Sequence, residues 1–177
     1  RIKPKTYQDY NQWDKFVHKN LDQMLTDFDE TDRQEQEEKH RLKLAEERKA
    51  IEAKEEAVRQ AGLRAEALKE AGNELLRQGD AEGAARKYEE SIGAMPHNPI
   101  AHANKAQALL KLAQPEEAAA ACSAALDQDP RYVKALLRRA TALLALPDPQ
   151  RAAAEQDLRR ALLLEPHNKQ AKSQLAA

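Results

Sequence analysis

Residues 84–98 read AARKYEESIGAMPHN, residues 118–132 read AAAACSAALDQDPRY, and residues 154–168 read AEQDLRRALLLEPHN. The three stretches carry one pattern, counted back from a proline at Pro96, Pro130 and Pro166. Twelve positions before the proline is a small residue (Ala84, Ala118, Ala154), and eight before it is a larger packing residue (Tyr88, Cys122, Leu158). Five before it is another small one (Ser91, Ala125, Ala161). Small residues let two helices approach closely, and the bulkier one fills the groove beside them. The prolines lie 34 residues (96 to 130) and 36 residues (130 to 166) apart. A second set of positions keeps the same step: Gly72, Ala106 and Ala140, each followed three residues later by Leu75, Leu109 or Leu143. Each period therefore holds two helices, and each proline closes the second.

The rest of the composition agrees. The 177-residue chain is rich in Ala, Leu, Glu, Lys, Arg and Gln, all good helix formers, and has only five glycines. An all-α protein follows. With 29 basic and 30 acidic residues, no large single-sign field draws the chain to nucleic acid or to an anionic membrane. The apolar runs fall short of the ~20 residues a membrane span needs. No secretory signal is visible, and a start at Arg1 in place of Met leads to the expectation of a fragment. One cysteine, Cys122, excludes an internal disulfide, fits a reducing compartment and reads as a small buried hydrophobe among alanines. His18, His40, His97, His102 and His167 have no ligand spacing, and there is no glycine-rich phosphate loop and no nucleophile–base constellation. No metal, no cofactor and no enzymatic activity are expected.

Residues 65–177 resemble the tetratricopeptide-repeat family, whose period is 34 residues of paired helices. The implied repeats are 65–98, 99–132 and 133–168, followed by a capping helix over 168–177. The third repeat has two extra residues around Pro147-Asp148-Pro149, which predicts a longer exposed turn with no change of register elsewhere.

Five residues on the first helices have a shared chemistry: Lys69, Asn73, Asn104, Lys134 and Arg138. Lys69 and Asn73 are four apart and share a helix face, as do Lys134 and Arg138. In a stacked array the first helices line the concave side, so cations and carboxamides converge there. The lysines and the arginine are donors only. A carboxylate wants several charge-assisted donors together, and a peptide ending in Asp offers two carboxylates within a few ångströms. Asparagine is a poor helix former, so two of them on first helices point to a use other than packing. The set resembles the two-carboxylate clamp of tetratricopeptide co-chaperones, and Leu68-Lys69-Glu70-Ala71-Gly72-Asn73 resembles that family's first-repeat opening. The resemblance implies a partner: the acidic C-terminal tail of cytosolic heat-shock chaperones of the 70- and 90-kDa classes. It implies that Lys69, Asn73, Asn104 and Lys134 hold the terminal Asp and that Arg138 meets the acidic residues before it.

The N-terminal third is different. Residues 1–30 hold Tyr7, Tyr10, Trp13, Phe16 and Phe28, five of the seven aromatics. Tyr10, Trp13, Val17, Leu21, Met24 and Phe28 recur at three- and four-residue spacing, which predicts a short amphipathic helix. Such a helix is marginal alone and must rest on the repeats or on a partner, with Tyr10, Trp13, Phe16, Leu21 and Phe28 as the docking residues. Residues 31–64 are a charged spacer helix, with Thr31 and Gln34 as a capping box. Leu44, Ile51 and Val58 recur every seven residues but lack the second seam of a coiled coil. If the spacer runs unbroken into the first repeat it is a rod of ~50 Å or more, with Gly62 as a candidate break. Residues 1–16 also resemble the segment preceding a repeat domain in co-chaperones of this family, which implies a role in assembling large complexes such as axonemal dyneins. The expected location is the cytoplasm, extending to cilium or flagellum. The alternative is a structural scaffold subunit of a large assembly, using repeats and rod for protein contacts.

Overall fold

The computed structural model describes residues 7–176, with side chains from residue 11 onward. Among the described residues there are seven helices and no strand: α1 (Tyr7–Gln78), α2 (Ala81–Ala94), α3 (Pro99–Lys111), α4 (Pro115–Gln128), α5 (Val133–Ala145), α6 (Arg151–Leu164) and α7 (Lys169–Ala176). The chain divides into two compact units, Arg1–Glu56 and Ala57–Ala177.

In the second unit the helices pair as antiparallel neighbours, each packing on the next along the chain from α2 to α7. The core is built mainly of alanine: Ala84, Ala106, Ala118, Ala125, Ala140 and Ala161 have no accessible surface. Leu136, Leu158, Tyr88 and Cys122 fill the space between the backbones. Gly72 of α1 lets the Tyr88 ring of α2 lie close against the helix, since a methyl group there would lie 2.7 Å from that ring. Ser91, fully buried, donates from its hydroxyl to the Ala65 carbonyl at 2.7 Å, which satisfies both groups and ties α2 to α1. The small residue five before the proline is therefore also a polar fastener in the first repeat.

Turn chemistry sets the repeat boundaries. Asp80 caps α2 by accepting from the Gly83 amide, Asn98 caps α3 by accepting from the Ala101 amide, and Asn168 accepts from the Ala171 amide at the start of α7. The Pro-His-Asn sequence that closes two of the repeats thus starts the next helix. Gly79, at φ 91°, makes the tight α1–α2 turn. The α5–α6 turn spans residues 146–150 and is longer than the turns within the other two repeats, 79–80 and 112–114. Arg139 of α5 clasps Asp157 of α6 through two 2.7 Å bonds and reaches Ser123 of α4 at 3.2 Å.

The first unit holds the N-terminal part of α1. The helix is unbroken at Thr31 and at Gly62, so the amphipathic segment, the charged spacer and the first helix of repeat one are stretches of one element. Thr31 forms no capping box; its hydroxyl donates to the Phe28 carbonyl at 2.8 Å, one turn back, a bond that needs no helix end. The helix runs through Gly62, as a single interior glycine costs only about 1 kcal/mol relative to alanine, and the Met95 side chain lies 3.3 Å from where a Cβ would stand. Among the described side chains before Ala57 none is buried, and Lys39 pairs with Glu35 at 3.5 Å across one turn.

Candidate peptide-binding groove

Lys69 and Asn73 lie on α1, Asn104 on α3, and Lys134 and Arg138 on α5, so the first helix of each hairpin contributes. Three of the five are joined directly. The Arg138 guanidinium donates to Asn104 Oδ1 at 3.1 Å, and the Asn104 amide donates to Asn73 Oδ1 at 3.3 Å. The Asn73 amide donates in turn to Glu70 Oε2 at 3.3 Å. Lys69 joins through the same carboxylate: its Nζ lies 3.4 Å from Glu70 and 2.5 Å from Glu66. Lys134 stands one turn before Arg138 on α5, exposed, with no hydrogen bond or ion pair among the described residues.

These bonds form a ladder with the period of the fold. Glu70, Asn104 and Arg138 are 34 residues apart (70 to 104, 104 to 138), as are Asn73 and Gln107 (73 to 107). Each rung connects one column to the other or to the next repeat. Arg138 also donates to the Ala103 carbonyl at 2.8 Å and to Gln107 Oε1. Tyr88, reaching in from α2, donates its hydroxyl to Asn73 Oδ1 at 2.7 Å.

Lys69 stands beside the carboxylates of Glu66 and Glu70, while Arg138 is partly desolvated. Burial pushes the Arg138 guanidinium down from its ordinary value, offset by the Tyr132, Cys122 and Tyr88 groups nearby. Burial raises the Tyr88 and Tyr132 phenols, and at both the charges of Arg138 and Lys69 act in the opposite sense. Two residues far apart in sequence are thus felt at the same two hydroxyls. Lys69 is raised, first by its hydrogen bond to Glu66, against the cost of burial. The exposed Glu70 carboxyl is lowered by the Asn73 amide and then by Lys69.

Asn73 and Asn104 each keep one amide N–H beyond the bonds described, Lys134 keeps its three ammonium donors, and Arg138 keeps two of its five N–H groups. Such a set can hold an anion with more than one carboxylate. Tyr88, Gln107 and Glu70 were not among the residues expected from sequence. Gln107 lies three residues after Asn104, on its face, and one period after Asn73, so the repeat register alone could have found it. The Tyr88 position read as a packing position, and nothing in the pattern marks its hydroxyl.

The N-terminal docking residues belong to the first unit, the five groove residues to the second. Trp13, Phe16, Leu21 and Phe28 are 50, 65, 52 and 69% exposed. The Tyr10 side chain lies outside the described residues.

A tetratricopeptide-repeat family model matches residues 75–140. Sperm-associated antigen 1 of Mus musculus is 34% identical over 96% of this chain, and RNA polymerase II-associated protein 3 of Homo sapiens is 31% identical over 94%. The chain spans only 18% and 23% of the length of those two relatives. Among solved structures, the first tetratricopeptide domain of Spaghetti (RPAP3) bound to the HSP90 peptide SRMEEVD is similar with TM-score 0.63 and 34% identity, over 65% of this chain and 90% of that one. The second such domain of human RPAP3, in complex with the HSP70 peptide SGPTIEEVD, is similar with TM-score 0.61 and 36% identity, over 67% of this chain and 95% of that one.

Proposed function

The chain belongs to the tetratricopeptide-repeat family, and we propose that it is a co-chaperone adaptor whose groove holds the acidic C-terminal tail of HSP70- and HSP90-class chaperones. The observation that carries this reading is the hydrogen-bonded series Arg138–Asn104–Asn73, which aligns donors from three first helices, flanked by Lys69 and Lys134. The two similar domains are bound to peptides that end in Glu-Val-Asp, and a groove of this donor set suits such an end.

In this reading the terminal Asp presents its main-chain and side-chain carboxylates to Lys69, Asn73, Asn104 and Lys134. The ligand displaces Glu70 from the Asn73 amide, a near-even exchange of one carboxylate for another. Arg138 of α5, its guanidinium held by Ala103, Asn104 and Gln107 of α3, supplies positive field and its remaining N–H groups to the acidic residues upstream. A hydrogen bond to a charged group nets about 1.5–3 kcal/mol. Several of them must offset the ordering of the peptide. The expected affinity is near micromolar, or about 8 kcal/mol.

Titration calorimetry with a peptide ending in Glu-Glu-Val-Asp, free and C-terminally amidated, tests this. Lys134→Ala or Arg138→Ala should weaken binding of the free acid at least about tenfold, with the helical circular dichroism unchanged. Equal affinity for the free and amidated peptides would exclude capture of the terminal carboxylate.

The likeness to sperm-associated antigen 1 extends over nearly the whole chain, the aromatic segment included. That extent supports a narrower reading: the groove docks the chaperone in the cytoplasm while the N-terminal stretch of α1 engages an assembly machine for large complexes such as axonemal dyneins. Pull-down of assembly factors by the full chain, lost on Trp13→Ala with Phe28→Ala, is the expected result.

A further inference from the structure

We propose that Tyr88 is a positioning residue of the groove, whose buried hydroxyl fixes the orientation of the Asn73 carboxamide and so keeps its NH2 available to a ligand carboxylate. This role rests on the groove being an anion site. Asn73 Oδ1 accepts two bonds, from the Tyr88 hydroxyl at 2.7 Å and from the Asn104 amide at 3.3 Å. An sp² oxygen has two lone pairs, and both are taken. A flipped Asn73 would set its NH2 against the Asn104 amide, which Arg138 holds in place as a donor, and would replace the 2.7 Å bond that the Tyr88 hydroxyl gives a carbonyl oxygen by one the hydroxyl must turn to accept, so the orientation seen is favoured. In that orientation Nδ2 is turned away from Tyr88 and toward the Glu70 carboxylate at 3.3 Å, the place where another carboxylate can substitute.

Tyr88 is suited to the task by its rigidity. It has no accessible surface, and its ring lies on Gly72, the residue before Asn73. The packing of α2 on α1 therefore sets the height of the hydroxyl. The corresponding positions of the other repeats are Cys122 (88 to 122) and Leu158 (two residues beyond one further period, after the longer turn), and neither carries a hydroxyl. In the second repeat the carboxamide of Asn104 is oriented instead by Arg138. The device belongs to the first repeat alone, where no arginine faces Asn73.

The test is Tyr88→Phe, which keeps the ring on Gly72 and removes only the oxygen, studied alone and combined with Asn73→Ala. Binding of a Glu-Glu-Val-Asp peptide should weaken roughly fivefold in Tyr88→Phe, and Tyr88→Phe should cost nothing further once Asn73 is Ala. The same loss in both backgrounds, or none in the wild-type background, overturns the proposal, because a purely structural hydroxyl does not act through Asn73. If the wild-type chain fails to bind the peptide, the groove reading itself falls, a result distinct from either. Should Tyr88→Phe fail to fold, the crystal structure of the wild-type peptide complex decides. A Tyr88 hydroxyl still bonded to Asn73 Oδ1, with Nδ2 on the peptide carboxylate, upholds the role. A hydroxyl bonded elsewhere overturns it.

Discussion

At Gly72 the first repeat has no room for a methyl group. A Cβ there would meet the Tyr88 ring at 2.7, 2.9 and 3.0 Å, and that ring is fully buried and cannot swing out to solvent. Gly72→Ala gains helix propensity, about 1 kcal/mol. The overpacking costs about 1–3 kcal/mol. The expected net is a loss of stability of about 1 kcal/mol by urea titration, with weaker peptide binding, since a displaced ring carries its hydroxyl away from Asn73. Cys122 shows the chemical side of the same packing. Burial pushes its thiol up to about 12 from an ordinary 9.0. The unfolded chain therefore loses that proton at a lower pH than the folded one. The thiol's contribution to stability is complete below about 9 and declines as pH rises from there toward 12. The slope is at most about 1.4 kcal/mol per pH unit, and it should vanish in Cys122→Ala. The native thiol should also resist alkylation at pH about 8 and react on unfolding.

At the scale of elements, the helices were legible where the period repeats and illegible where a feature occurs once. The prolines, the small-large-small spacing and the first-helix leucines each recur three times, and they gave the pairing and the long third turn. The meeting of Asn73, Asn104 and Arg138 was legible for the same reason, through residues of one face at one register. Tyr88 escaped because its ring and its hydroxyl do different work at a position where Cys122 and Leu158 merely pack. The Arg139–Asp157 clasp escaped because only the third repeat has it, and a lone Arg on a helix reads as a solvated charge. The continuation of α1 through Thr31 escaped because Thr31 looks like a cap in sequence, whereas its hydroxyl bonds a carbonyl one turn back; of the two readings left open at Gly62, the unbroken one holds. The α3–α4 turn offers a test of local strain. Ala113 sits at φ 57°, the left-handed region, and is exposed. An L-residue there costs about 1–2 kcal/mol. Glycine relieves most of this but adds freedom to the unfolded chain worth about 0.4–1 kcal/mol. Ala113→Gly should therefore raise stability by about 0.5 kcal/mol, seen as a higher denaturant midpoint with unchanged slope.

In the whole molecule, stability and exposure are divided between the two units. Every buried residue described lies at Ala65 or later, in the unit Ala57–Ala177. The described side chains of the other unit leave Trp13, Phe16, Met24 and Phe28 half-exposed or more. A repeat stack draws its stability from neighbour-to-neighbour packing, so what matters is which interfaces survive a truncation. Removing residues 1–56 takes away no buried side chain among the described residues. Removing α7 takes its fully buried Ala171 out of the core and breaks the Gln174–Thr141 bond of 2.8 Å that ties α7 to α5. The first truncation should leave the thermal midpoint within about 2 °C and the affinity for a Glu-Glu-Val-Asp peptide unchanged. The second should lower the midpoint by roughly 4 °C, the shift expected for about 1 kcal/mol in a unit between the 60–100-residue and 150–250-residue classes. Differential scanning calorimetry on both truncations separates the cases. A large drop on losing residues 1–56 would mean that the aromatic stretch of α1 is covered by the chain itself in solution, and would return Trp13 and Phe28 from the role of partner contacts to that of core.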